Sequence, residues 1–127
     1  MVTSSKKVLL VDDMGGVRRS VAHVLRSLGH DVTEAENGAV AINKLRDANY
    51  DLVVTDILMP EKDGSEVIDF ARALSRQPRV IAMSGGGSQA TANQAIDKAR
   101  GKADGILLKP FNRQDIVTLV ERMLAAG

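Results

Sequence analysis

The sequence predicts an α/β doubly wound fold, a parallel sheet with helices on both faces, on the strength of two observations. Four short runs are continuously apolar: Val8-Leu9-Leu10-Val11, Leu52-Val53-Val54, Val80-Ile81-Ala82-Met83 and Ile106-Leu107-Leu108. Between them lie segments whose apolar residues recur at helical spacing. A strand buried on both faces has to be apolar at every position, whereas a strand with one wet face alternates. Strand followed by helix, five times over, favours parallel pairing, because each return to the same end of a sheet requires a crossover.

The elements follow in chain order. After the first strand, Val17, Val21, Val24, Leu25 and Leu28 fall on one helical stripe, and Gly29 supplies a stop. Asp31-Val32-Thr33-Glu34-Ala35 alternates, which predicts a half-exposed edge strand. Ala41, Leu45 and Ala48 mark a second helix after the Asn37-Gly38 turn. The third strand, at Leu52-Val53-Val54, leads to a helix carrying Val67, Ala71 and Leu74. The fourth strand runs into Gly85-Gly86-Gly87 and a helix over about residues 88–100, whose stripe is Ala92, Ala95, Ile96 and Ala99. Burial stabilises by roughly 25 cal/mol per Å² of apolar surface, so alanines anchor that helix weakly and it is the one expected to move. The last strand precedes a helix with Ile116, Leu119, Val120, Met123 and Leu124 on one face, and Asn112 is placed to cap it.

The bulk properties narrow the function classes. The 127 residues suit a single domain over 1–127, with its core at about 7–124. A chain of that size buries roughly two-thirds of its unfolded surface. The absence of cysteine excludes a disulfide framework and thiolate metal sites. Net charge is +1, with 17 basic against 16 acidic residues, which argues against direct nucleic-acid binding. Aromatics at 2% leave no stacking platform for single strands. The polar start and the short first apolar run fit neither a signal segment nor a membrane span, so a cytoplasmic protein with no membrane partner is expected.

The polar residues carry the functional information. Each of the four apolar strands ends in one: Asp12 and Asp13, then Asp56, then Ser84, then Lys109. In open α/β sheets the ligand crevice lies outside the carboxyl ends of the strands, so chain-distant residues converge on one rim. Carboxylates about 5 Å apart repel by about 3 kcal/mol per pair at an effective dielectric near 20. One lysine does not offset three of them, whereas a hard divalent cation does. An all-oxygen set without His or Cys suits Mg²⁺, or Mn²⁺, over zinc. Mg²⁺ readily adds phosphate oxygens, which points to phosphoryl chemistry. Asp12 and Asp13 are adjacent and suit metal binding from one loop, while Asp56 stands alone at the end of a central strand as the candidate nucleophile. Ser84 and Lys109 are placed to donate to phosphoryl oxygens.

Val11-Asp12-Asp13 with Arg18-Arg19, Asp56-Ile57-Leu58-Met59-Pro60-Glu61-Lys62-Asp63-Gly64, Met83-Ser84-Gly85 and Leu108-Lys109-Pro110-Phe111 together resemble bacterial two-component response-regulator receiver domains (CheY-like). The resemblance implies a flavodoxin-like (βα)5 fold with strand order 2-1-3-4-5. It implies Asp56 as phosphoacceptor, charged from the phosphohistidine of a sensor histidine kinase or phosphotransfer protein. It implies a metal set of Asp12, Asp13, Asp56 and the Leu58 backbone carbonyl, and a cis bond before Pro110. Ser84, Gly85, Gly86, Ile106 and Pro110 fall at switch positions facing an unnamed downstream protein. Such a chain is no enzyme beyond its own phosphoryl transfer and dephosphorylation.

One departure from the family pattern bears on output, and a second point concerns phosphoryl lifetime. The place three residues before the lysine, often Tyr, Phe or His in the family, is Ile106, whose χ1 is stiff and which has no polar tip. Output is therefore expected to run through Ser84, Gly85-Gly86-Gly87 and the helix near 88–100. Leu58 and Gly86, two residues past Asp56 and Ser84, cannot orient an attacking water, so neither side chain is expected to assist self-dephosphorylation.

Smaller signals are bland. His23 is expected to be exposed, and His30 structural or neutral. Gly85-Gly86-Gly87 lacks the spacing of a P-loop. Met14 and Met59 are read as gap-fillers beside the site. A Mg²⁺-dependent aspartyl-phosphate phosphohydrolase is the rival reading, but the Asp-x-Asp-x-Thr arrangement of such enzymes is replaced here by Asp12-Asp13-Met14. A flavin-binding flavodoxin would need a Ser/Thr-rich phosphate loop after the first strand and ring-stacking aromatics, which are missing.

Overall fold

Alternate residues of each central strand feed opposite sides of one sheet, and that is why the strands are apolar throughout. In β1 (Lys7–Val11), Val8 and Leu10 enter one core and Leu9 and Val11 the other. The computed structural model describes residues 5–57, 64–84 and 103–125. Within them the order is β1, α1 (Gly15–Ser27), β2 (Asp31–Ala35), α2 (Gly38–Asp47), β3 (Leu52–Asp56), α3 (Gly64–Arg72), β4 (Arg79–Ser84), β5 (Gly105–Leu108) and α4 (Arg113–Ala125). The strands are parallel in the order β2-β1-β3-β4-β5. This is the expected flavodoxin-like doubly wound sheet.

One layer joins α1 and α4 to the sheet through Val21, Leu25, Ile116 and Val120, and the other joins α2 and α3 through Ala41, Leu45, Val67 and Ile68. The segment near residues 88–100, read as a weakly anchored helix, lies outside the described residues. Among the described residues, no helix is long and apolar enough to cross a membrane.

Helix ends follow local chemistry. At the end of α1, Gly29 adopts φ 92°, its N–H donates to the Arg26 carbonyl, and the His30 N–H donates to the Leu25 carbonyl. That is the two-bond αL closure that glycine makes without steric cost. Asn37 caps α2 by accepting the Val40 N–H at 2.9 Å. Asn112 accepts the Asp115 N–H at 2.8 Å while Asp115 accepts the Asn112 N–H at 3.0 Å, a reciprocal cap on α4.

Some readings need correction. β5 is an edge strand and is not buried on both faces: Ile106 is half-buried and Leu108 is 57% exposed. An apolar run of three cannot distinguish a central strand from an edge that keeps one side wet. Ala48 and Leu74, read as helical, lie just past the ends of α2 and α3, and both still pack against the second core. β2 is the half-exposed edge expected.

Candidate functional site

Sheet register builds the site. Val11 pairs with Thr55, so Asp12 and Asp56 emerge side by side from the carboxyl ends of β1 and β3. Between these two strands the chain reverses direction across the sheet, since β2 lies on one side of β1 and β3 on the other. That switch point is where a doubly wound sheet opens a crevice. Asp56 pairs with Met83, placing Ser84 one step beyond on β4, and Ser84 pairs with Leu108, placing Lys109 beyond β5. The Lys109 N–H donates to the Ser84 carbonyl at 2.7 Å, which ties those two strand ends together. The Lys109–Pro110 peptide is cis, as the family resemblance implied.

The side chains converge as expected. Asp12, Asp13 and Asp56 each offer an oxygen within 4.8 Å of those of the others. Asp12 and Asp56 are buried and Asp13 is exposed. Lys109 Nζ donates to Asp56 Oδ2 at 2.8 Å and lies 3.5 Å from Asp12 Oδ2. The longer distance is a charge contact, and Asp12 Oδ2 is left without a hydrogen-bond partner although it is buried. Asp12 Oδ1 is occupied, accepting the Met14 N–H at 2.9 Å.

Burial raises the Asp12 pKa above its usual value. The Met14 hydrogen bond and the Lys109 charge oppose that rise, and the charges of Asp56 and Asp13 add to it. Burial alone would lower the Lys109 pKa, but hydrogen bonding and charge from Asp56, with help from Asp12, outweigh it and the net shift is upward. A buried carboxylate oxygen with an unfilled lone pair, beside two further carboxylates, fits a hard cation with oxygen ligands. The Ser84 hydroxyl is likewise buried without a hydrogen-bond partner.

Leu58, Gly85, Gly86 and Met59 lie outside the described residues. Met14 is 56% exposed and therefore does not fill a gap. It lines a groove of about 670 Å³ between α1 and α4, with Val17, Phe111 and Ile116. His23 is exposed, as expected, and His30 is buried, its Nδ1 accepting the Lys6 N–H at 3.2 Å. The role of Arg18 escaped the sequence reading. Its Nη1 donates to the Asp12 carbonyl at 2.8 Å and its Nε pairs with Glu34 at 3.1 Å. Its place six residues after Asp12, on the first turns of a helix, was the available signal.

Residues 8–121 match the family described as "Response regulator receiver domain". The chain belongs to that family. It is 34% identical over 122 residues to the response regulator receiver protein CpdR of Brucella abortus, covering 96% of this chain and 99% of the relative. It is also 34% identical to the transcriptional regulatory protein ResD of Bacillus subtilis, of which it spans about half, 49%. Among solved structures, the chemotaxis response regulator CheY4 of Vibrio cholerae superposes with a TM-score of 0.82 at 28% identity, covering 95% of this chain and 100% of that one. The receiver domain is thus a phosphorylation-controlled signalling switch of two-component systems. This membership does not favour the phosphohydrolase alternative.

Proposed function

We propose that this receiver accepts a phosphoryl group on Asp56 from the phosphohistidine of a sensor histidine kinase or phosphotransfer protein, with Mg²⁺ held by Asp12, Asp13, Asp56 and the Leu58 carbonyl. The observation that carries the reading is the convergence of three carboxylates with Lys109 Nζ 2.8 Å from Asp56 Oδ2. A carboxylate oxygen of Asp56 attacks phosphorus, the P–O bond forms as the P–N bond breaks, and the departing imidazole nitrogen retains the electron pair. Bound Mg²⁺ supplies charge neutralisation for the phosphoryl oxygens and for the clustered acids. Lys109 ion-pairs with a phosphoryl oxygen, and the Ser84 hydroxyl, buried without a partner, donates to another. Asp12 holds its carboxylate ready because its Oδ1 is fixed by the Met14 amide.

Residues 1–127 form one receiver domain on this reading, working in the cytoplasm on protein partners, without direct nucleic-acid or membrane contact. Its chemistry is confined to its own transfer and dephosphorylation, which the Leu58 and Gly86 side chains do not assist. Output passes through Ser84, Gly85, Gly86 and Pro110 to a downstream protein. Ile106 is half-buried against the second core and contributes packing. An Ile106→Ala variant that stays folded should keep its phosphorylation-dependent binding, and loss of that binding would give Ile106 a larger part.

The test is incubation with Mg²⁺ and acetyl phosphate, read by intact mass. Wild type should gain one phosphoryl group and Asp56→Asn none, and equal modification of both removes Asp56 from the mechanism. Steady hydrolysis of generic phosphate esters would favour the enzyme reading instead.

A further inference from the structure

The main chain of Asp12 is held, through its N–H and its carbonyl, by a closed circuit of contacts with β2. The Asp12 N–H donates to the Ala35 carbonyl at 3.1 Å. The Asp12 carbonyl accepts from Arg18 Nη1 at 2.8 Å, and Arg18 Nε pairs with Oε1 of Glu34, the residue next to Ala35, at 3.1 Å. Glu34 is held on its other oxygen by Arg26 Nη1 at 3.2 Å. The Arg18 side chain is only 17% exposed, so its fork is largely fixed. Two consecutive residues of β2 therefore hold both main-chain polar groups of Asp12, and Arg18, through the carbonyl, fixes the peptide plane from which Asp13 departs.

Asp13 is exposed, so packing does little to orient it, and the direction of its Cα follows from that peptide plane. We infer that Arg18 is a positioning residue for the divalent-cation site, acting through the Asp12 carbonyl to set the Asp12–Asp13 pair rather than touching the ion. This rests on the metal reading proposed above. Groups that orient metal ligands from behind them typically change affinity 10–100-fold when removed.

Charge alone predicts the opposite sign, which makes the inference testable. Deleting a cation near a cation site should tighten binding of Mg²⁺, whereas loss of positioning should weaken it. Mg²⁺ dissociation constants are measured by calorimetric titration at a temperature where every variant is folded, with metal-free thermal melts alongside. Arg18→Met should bind Mg²⁺ about tenfold more weakly than wild type. Arg18→Lys, which keeps the charge but loses the two-pronged geometry, should also weaken it. Arg26→Met, which loosens Glu34 but leaves the bond from Arg18 to the Asp12 carbonyl in place, should weaken binding less than Arg18→Met, and an equal or larger loss would overturn the inference. Unchanged or tighter binding by either folded Arg18 variant overturns the inference, even if that variant melts earlier. Failure of wild type itself to bind Mg²⁺ overturns the metal reading instead.

Discussion

Lys109 and Asp56, 53 positions apart in the chain, meet at 2.8 Å between Nζ and Oδ2, and the same ammonium lies 3.5 Å from the buried Asp12. One cation thus serves two buried carboxylates. Removing one member of a buried ionic group costs about 3–5 kcal/mol, because the charges left behind lose their compensation. Lys109→Met should therefore destabilise the metal-free protein by about 3 kcal/mol, the lower end of that range, since the lysine side chain is 16% exposed. Saturating Mg²⁺ should recover much of that loss by supplying replacement positive charge. Urea denaturation with and without Mg²⁺ reads both numbers, and a metal-independent deficit would mean the lysine acts through packing.

Asp12 poses the reverse case. Burial raises its pKa above the usual 3.8, so the ionised form is disfavoured in the folded state relative to the unfolded one. At every pH above 3.8 the unfolded chain releases this proton more readily, and the carboxylate then weakens the fold. Asn at this position keeps an oxygen to accept the Met14 amide while deleting the charge. Asp12→Asn should accordingly be more stable than wild type in EDTA at neutral pH. With Mg²⁺ at about a hundredfold its dissociation constant, wild type gains about 2.7 kcal/mol by mass action and the variant much less. The order of the two melting curves should invert on adding Mg²⁺. Curves that keep their order in both buffers would show that Asp12 is no ligand.

The parts of this molecule that were legible in the sequence are those fixed by geometry that repeats. Leu9 and Leu10 face opposite cores, so β1 had to be apolar at each position, and the strand period then delivered Asp12, Asp56, Ser84 and Lys109 to one end of the sheet. Caps at Asn112 and Gly29 were readable because their chemistry is local. Leu108 was misjudged because an apolar run carries no record of whether a neighbouring strand or helix covers it. Met14 was misjudged for the same reason. Arg18 went unread because its partner is a main-chain oxygen, and the carbonyl of Asp12 has the same formula as any other.

His30 gives the fold a pH dependence of its own, separate from the acid cluster. It is buried where α1 turns into β2, its Nδ1 accepts the Lys6 N–H, and burial lowers its pKa below 6.5, opposed by Glu121 and assisted by Lys6. A protonated imidazole would have to surrender that acceptor and bring a charge into the core. The unfolded chain takes up the proton first as pH falls, so the stability contributed by neutral His30 is complete above about 6.5 and is lost progressively below it. One proton limits the slope to about 1.4 kcal/mol per pH unit. Comparing unfolding free energies of wild type and His30→Gln between about pH 7.5 and 5.5 isolates this component, because every other titratable group is common to both proteins. The wild-type curve should fall more steeply with acidification than that of the variant. Parallel curves would place the acid sensitivity of the fold elsewhere.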